Sequence, residues 1–200
     1  MTREIAISNR HPRLQVPRAA VARAIALLDA HFDLLPADLP HLSLPPARRA
    51  ALHAKIKIQK SKIQGVCPGG ELSLVFLTDP ALAQIHADFM DDPAATDVIT
   101  FEGDPAANLA GEVCVSADTA WKYVGARLQR ARGRAPGTPL HSAFAAELTL
   151  YLVHGWLHLA GYDDLRPAKK RRMRAAEARA MKLLRQHDAI PAFRLGGARR

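Results

Sequence analysis

The stretch that decides the fold is residues 142–164, SAFAAELTLYLVHGWLHLAGYDD. Leu148, Leu150, Tyr151, Leu152, Val153, Trp156, Leu157 and Leu159 leave little of its circumference polar, the mark of a helix buried on nearly every side. The spacing predicts a helix from Ser142 to Ala160, which Gly161 ends through a left-handed residue. His154 and His158 stand four apart, so both project from one face within reach of a single ion. Two imidazoles in an apolar helix need partners, because a buried polar group left unsatisfied costs roughly 1–3 kcal/mol. The turn at Gly161 brings Asp163 or Asp164 back toward them. Two histidines, one carboxylate and an open fourth position form the ligand set of a catalytic zinc. His154, His158 and either Asp163 or Asp164 are therefore the candidate ligands of one zinc ion. Position 155 is Gly and not the Glu of an HExxH protease, which disfavours a peptidase. Glu147, two turns before His154 on roughly the same face, reads as a first-turn acid suited to the helix dipole or as a partner that supports the metal ligands.

Outward from this helix, four strand-like runs alternate with helical ones. Glu4–Ser8, Leu72–Thr78, Thr96–Phe101 and Gly111–Ser116 read as strands, the last two as a hairpin. Helices are expected from Pro17, where Val21, Ile25 and Leu28 recur, from Ala117 to Arg132, and from Pro167 to Gln186. Asp79 before Pro80 reads as the N-cap of a further helix through Leu82, Ile85 and Phe89. This is an α/β (α+β) pattern: one domain over 1–190, with a small mixed four-stranded sheet flanked by helices and a buried central helix carrying the metal site. Residues 36–70, with prolines between Pro36 and Pro46 and a helix assigned from Arg48, read as an insertion, and 191–200 as a flexible tail.

With 28 Lys and Arg against 19 Asp and Glu, the 200-residue chain carries a net charge of +9, which suits a polyanionic partner. No apolar run reaches the length of a membrane span, and a cytoplasmic location is expected. Cys67 and Cys114 are the two cysteines; without a CxxC pair they read as reduced bystanders.

VHGWLHLAGYDD (153–164) resembles the HGxLHLxGYDH signature of the YbeY family, metal-dependent endoribonucleases implicated in maturing the 3′ end of small-subunit rRNA. In chain order LSLVFLTD, ATDVITF, GEVCVS and the pair Met173 and Glu177 resemble further family motifs, over roughly Leu72 to Leu184 and more weakly Glu4 to Leu35. The resemblance implies a zinc-dependent endoribonuclease of rRNA maturation and ribosome quality control, with rRNA and the small ribosomal subunit as partners. His154 and His158 fall on the first two metal histidines, and Asp164 where the third usually stands. Lys55, Lys57, Lys169, Lys170, Arg171 and Arg172 are the expected RNA contacts. The family's N-x-x-Y-R motif stands here as His86, Phe89 and Met90, so its cleft arginine is absent. Lys122, Arg166 or the segment Lys55 to Lys62 would have to supply the replacement cation. Two rival readings follow: a metal-binding ribosome-assembly factor that has lost cleavage, and a metal-dependent hydrolase of another substrate.

Overall fold

The computed structural model describes residues 3–32, 67–90, 94, 96–131 and 139–196. The proline loop, the helix assigned from Arg48, and Lys55, Lys57, Lys60 and Lys62 lie outside them. Four strands, β1 (Ile5–Asn9), β3 (Glu71–Leu77), β5 (Leu109–Ser116) and β4 (Val98–Glu102), form one sheet in the order β1-β3-β5-β4. The first three run parallel, and β4 closes one edge as the antiparallel partner of β5. The helices are α1 (Arg18–His31), α2 (Asp79–Met90), α3 (Ala117–Ala131), α4 (Leu140–Leu159) and α5 (Pro167–Gln186). The expected fold class is what the chain adopts.

Period-two alternation sorts the sheet's side chains into two cores. Leu72, Leu74, Phe76, Val113 and Val115 face the large core shared with α1, α4 and α5. Val75, Leu77, Ile99 and Cys114 face a small core closed by Leu82 of α2. With both faces covered, β3 is a near-continuous apolar run, as a buried parallel strand requires. Helix α4 lies in the centre of the large core, where Phe144, Leu148, Trp156 and Leu157 are fully buried. Trp156 meets Phe32 edge-to-face and donates its indole N–H to Asp29 Oδ1 at 3.1 Å, while Arg3 holds the other Asp29 oxygen. One carboxylate thus ties α1 and the N-terminus to the central helix.

Three expectations need correction. Asp79 is not the cap of α2: Thr78 accepts the Leu82 N–H through its carbonyl at 3.0 Å and the Ala81 N–H through its hydroxyl at 3.4 Å. The Asp79 carboxylate instead accepts hydrogen bonds from Ser116, Thr119 and Lys122, which outweigh burial and hold its carboxyl below the usual range. Glu147 does not serve the helix dipole, because α4 begins at Leu140 and its first turn holds no acid. The segment from 191 does not fray at its start: Pro191, Phe193 and Leu195 are buried, and the short strand β6 (Arg194–Leu195) pairs antiparallel with β2 (Leu14–Gln15). Residues 197–200 of the expected tail lie outside the described residues. Both cysteines are free and buried, and burial pushes each thiol up to about 12, as expected of bystanders. Among the described residues no helix is long and apolar enough to cross a membrane.

The close approach of α4 to the sheet depends on Gly155. A Cβ there would stand 2.4 Å from Val113 Cγ1 and 3.1 Å from Thr100 Oγ1. Val113 is fully buried and stiff at χ1, so it cannot swing aside. Elsewhere in a helix Gly→Ala gains about 1 kcal/mol in propensity. Here overpacking, typically ~1–3 kcal/mol, opposes that gain and exceeds it. Gly155→Ala is therefore expected to lower the denaturation midpoint, as measured by urea unfolding followed by circular dichroism. A raised midpoint would show that α4 has room to move off β5.

Candidate metal centre

Helix α4 presents His154 and His158 on adjacent turns of one face, and the way the helix ends fixes the second ring. Gly161 has φ +90°, the left-handed conformation expected from sequence. The Gly161 N–H donates to His158 O at 2.9 Å and the Tyr162 N–H to Leu157 O at 3.0 Å, the paired bonds of a Schellman turn. Tyr162 is buried by this turn, and its carbonyl accepts the His158 Nδ1–H at 3.1 Å. The chain then doubles back, and the same turn that ends the helix carries Asp163 and Asp164 to the histidines.

The two aspartates do different things. Asp163 is held by Lys169 on one oxygen and accepts the Leu165 N–H on the other at 2.7 Å. Lys169 is the largest cause of its lowered carboxyl pKa. Asp164 faces the rings, with Oδ1 3.9 Å from His158 Nε2. One ligand atom from each of His154, His158 and Asp164 lies within 4.8 Å of the others. The structure thus brings together the three residues expected from sequence, and Asp164 rather than its neighbour.

The partner of His154 comes from α5. Its Nδ1–H donates to Glu177 Oε1 at 2.7 Å. Burial alone would lower the proton affinity of this ring, and the Glu177 hydrogen bond and charge outweigh it, so the pKa is raised. For His158 burial and the adjacent His154 prevail, and the pKa is lowered. Sequence reasoning placed Glu177 in a motif without giving it this role. The available signal is that Glu177 is the one acid in a helix of eight Lys and Arg residues, and it sits one turn past buried Met173.

With both Nδ1–H groups committed outward, the rings turn their Nε2 atoms toward each other, 2.9 Å apart. Two neutral rings would oppose lone pairs there, a repulsion removed by a proton on His154, whose pKa is raised, or by a metal ion between the nitrogens. Tetrahedral zinc with Zn–N near ~2.0–2.1 Å sets its ligands about 3.3–3.4 Å apart, a spacing between the 2.9 and 3.9 Å observed. The residues present fit the metal.

These groups open onto a cleft of about 520 Å³ beside edge strand β4, lined by Thr100 and Glu102 from β4, His86 from α2 and the turn from Gly161 to Leu165. Among the described residues that line it, none is Lys or Arg. Lys122 is paired with Asp79, and Arg166 is exposed just before α5; neither lines the cleft. Lys170, Arg171 and Arg172 are exposed in the first two turns of α5, outside the cleft.

A family model described as Endoribonuclease YbeY matches residues 47–185. Proteins named Endoribonuclease YbeY are similar to this chain. That of Chlamydia abortus is 34% identical over 125 residues, 60% of this chain and 73% of its own. That of Porphyromonas gingivalis is 32% identical over 117 residues, 58% and 69%. That of Anaeromyxobacter dehalogenans is 40% identical over 111 residues, 54% and 51%. A solution structure from Thermotoga maritima covers 98% of this chain and 99% of its own at 16% identity and a TM-score of 0.47. The matched span runs through β3, both histidines, the doubled-back turn and Glu177, and by that match the chain belongs to the endoribonuclease YbeY family.

Proposed function

We propose that this chain is a zinc-dependent endoribonuclease acting in the maturation of the small-subunit rRNA 3′ end and in ribosome quality control, with His154, His158 and Asp164 as the zinc ligands. The observation that carries the metal reading is the pair of ring nitrogens converging at 2.9 Å with a carboxylate beside them. Family membership supplies the reaction. A zinc ion held there contributes Lewis acidity, making water a better nucleophile and drawing charge from a phosphoryl oxygen. The chain's own residues do the positioning. Glu177 and the Tyr162 carbonyl fix the two rings, Lys169 keeps Asp163 out of the ligand set, and the buried α4 gives the histidines a rigid base.

Binding of the RNA backbone falls to α5. Its first turn holds Lys169, which Asp163 accounts for, and the exposed Lys170, with no acid, although the positive end of the helix dipole disfavours a cation there by about 0.3–1 kcal/mol. Lys170 with Arg171 and Arg172 beside it is a placement that a phosphate chain rationalises. The rival reading of an assembly factor without cleavage draws on one observation, the lack of Lys or Arg among the described cleft residues. A hydrolase of another substrate has no structural feature in its favour.

Two outcomes are expected. Zinc-loaded protein cuts rRNA precursor, and chelation or His158→Ala abolishes cutting. Replacing Lys170, Arg171 and Arg172 together with Ala lowers the slope of log affinity against log salt by about 2, at ~0.7 per phosphate contact on single-stranded RNA. Retained zinc with no cleavage would favour the assembly-factor reading, and an unchanged salt slope would remove the α5 contacts. Glu177→Gln is expected to weaken zinc binding by about 10–100-fold in competition titration, because the amide orients the ring without its charge. Unchanged affinity would mean that Glu177 does not tune the site.

A further inference from the structure

The proposed reaction needs more than a nucleophile. When a P–O bond of RNA breaks, the departing oxygen carries negative charge, and a proton delivered to it typically contributes ~10²–10⁴-fold in rate. The ligand residues are committed elsewhere: His154 and His158 have both ring nitrogens engaged, and Asp164 offers a carboxylate. Glu102 and Asp163 likewise bring carboxylates, and Asp163 is occupied by Lys169. Tyr162 turns inward, where its hydroxyl meets Arg179. Thr100 presents a buried hydroxyl, a weak acid. Among the described residues, the remaining cleft side chain able to give up a proton is His86.

His86 enters from α2, an element separate from the ligand-bearing helix and turn. Its Nδ1–H donates to Ala94 O at 2.9 Å. A backbone carbonyl accepts only, so Nδ1 keeps its hydrogen in the neutral and the cationic ring alike, and Nε2 is the ring atom at which a proton is taken up and given away.

Resting on the ribonuclease reading above, we propose that His86 is the catalytic acid of this chain, delivering the Nε2 proton to the leaving oxygen of the RNA phosphodiester. Water oxygen forms the new P–O bond as the P–O bond to the leaving nucleoside oxygen breaks. That oxygen takes the Nε2 proton, the proton lost by water passes to solvent, and the imidazole is reprotonated from solvent through the open cleft. One water is consumed, leaving one phosphomonoester end and one hydroxyl end. His86 thereby serves the leaving group in a cleft that lacks an arginine.

The test is single-turnover cleavage by zinc-loaded wild type, His86→Ala and His86→Gln, with zinc content measured on the same preparations. Each protein is given ordinary RNA and RNA carrying sulfur at the bridging 3′ or 5′ position of the scissile phosphate. A thiolate leaves without a proton. Both variants are expected to be ~10²–10⁴-fold slower than wild type on ordinary RNA, yet within about tenfold of it on the sulfur substrate that matches the leaving group. Zinc content stays unchanged. Equal losses on oxygen and sulfur substrates, no loss at all, or loss of zinc would each overturn the proposal. A zinc-loaded wild type inert on every substrate would contradict the ribonuclease reading itself, and the role of His86 with it.

Discussion

Two imidazole Nε2 atoms face each other across 2.9 Å because both Nδ1–H groups are drawn outward, one to Glu177 and one to the Tyr162 carbonyl. Most of the fold serves that arrangement. The i, i+4 spacing needs a straight helix, the straight helix is held by a core on nearly all sides, and Gly155 lets it press against Val113 and Thr100. The Schellman turn at Gly161 then does two jobs: it supplies the carbonyl that orients His158 and sends Asp164 back to the rings. On the zinc reading proposed above, an ion between the nitrogens would couple metal binding to the packing of α4 and α5.

Charge is distributed in a way that gives the parts separate tasks. The chain is basic overall, yet the described cleft residues include Glu102, Asp163 and Asp164 and no Lys or Arg. Among the described residues, Lys170, Arg171 and Arg172 place positive charge on the exposed face of α5, outside the cleft. On the ribonuclease reading proposed above, such a division would let long-range attraction gather the substrate and leave orientation to the cleft.

The sequence made the central helix, its ending and the ligand trio readable because each rests on local rules: apolar periodicity, glycine at a left-handed position, and histidines four apart. The four strands were readable for the same reason. What escaped depended on contacts between distant segments. Glu177 is 23 residues from His154, and only the packing of α5 on α4 shows that its carboxylate reaches the ring. Asp79 has the composition of a cap, but three donors on β5 and α3 draw its carboxylate away, and Thr78 takes the role. Glu147 suggests a dipole acid by its charge near the helix start, but it lies beyond the first turn, which runs from Leu140 and holds no acid. The segment after 191 looked loose because its two-residue strand pairs with another two-residue strand near the N-terminus, a match too short for periodicity to reveal. Asp163 and Asp164 were indistinguishable by composition; Lys169 separates them.

The central claim, that His154, His158 and Asp164 together hold one zinc ion, is tested most directly by X-ray absorption at the zinc edge of the stoichiometrically loaded protein. The account predicts two imidazole nitrogens at ~2.0–2.1 Å, recognisable by their outer-shell ring scattering, with oxygen completing a first shell free of sulfur. Three imidazoles, which would bring His86 into the ligand set, fewer than two, or any sulfur from Cys67 or Cys114 would contradict it.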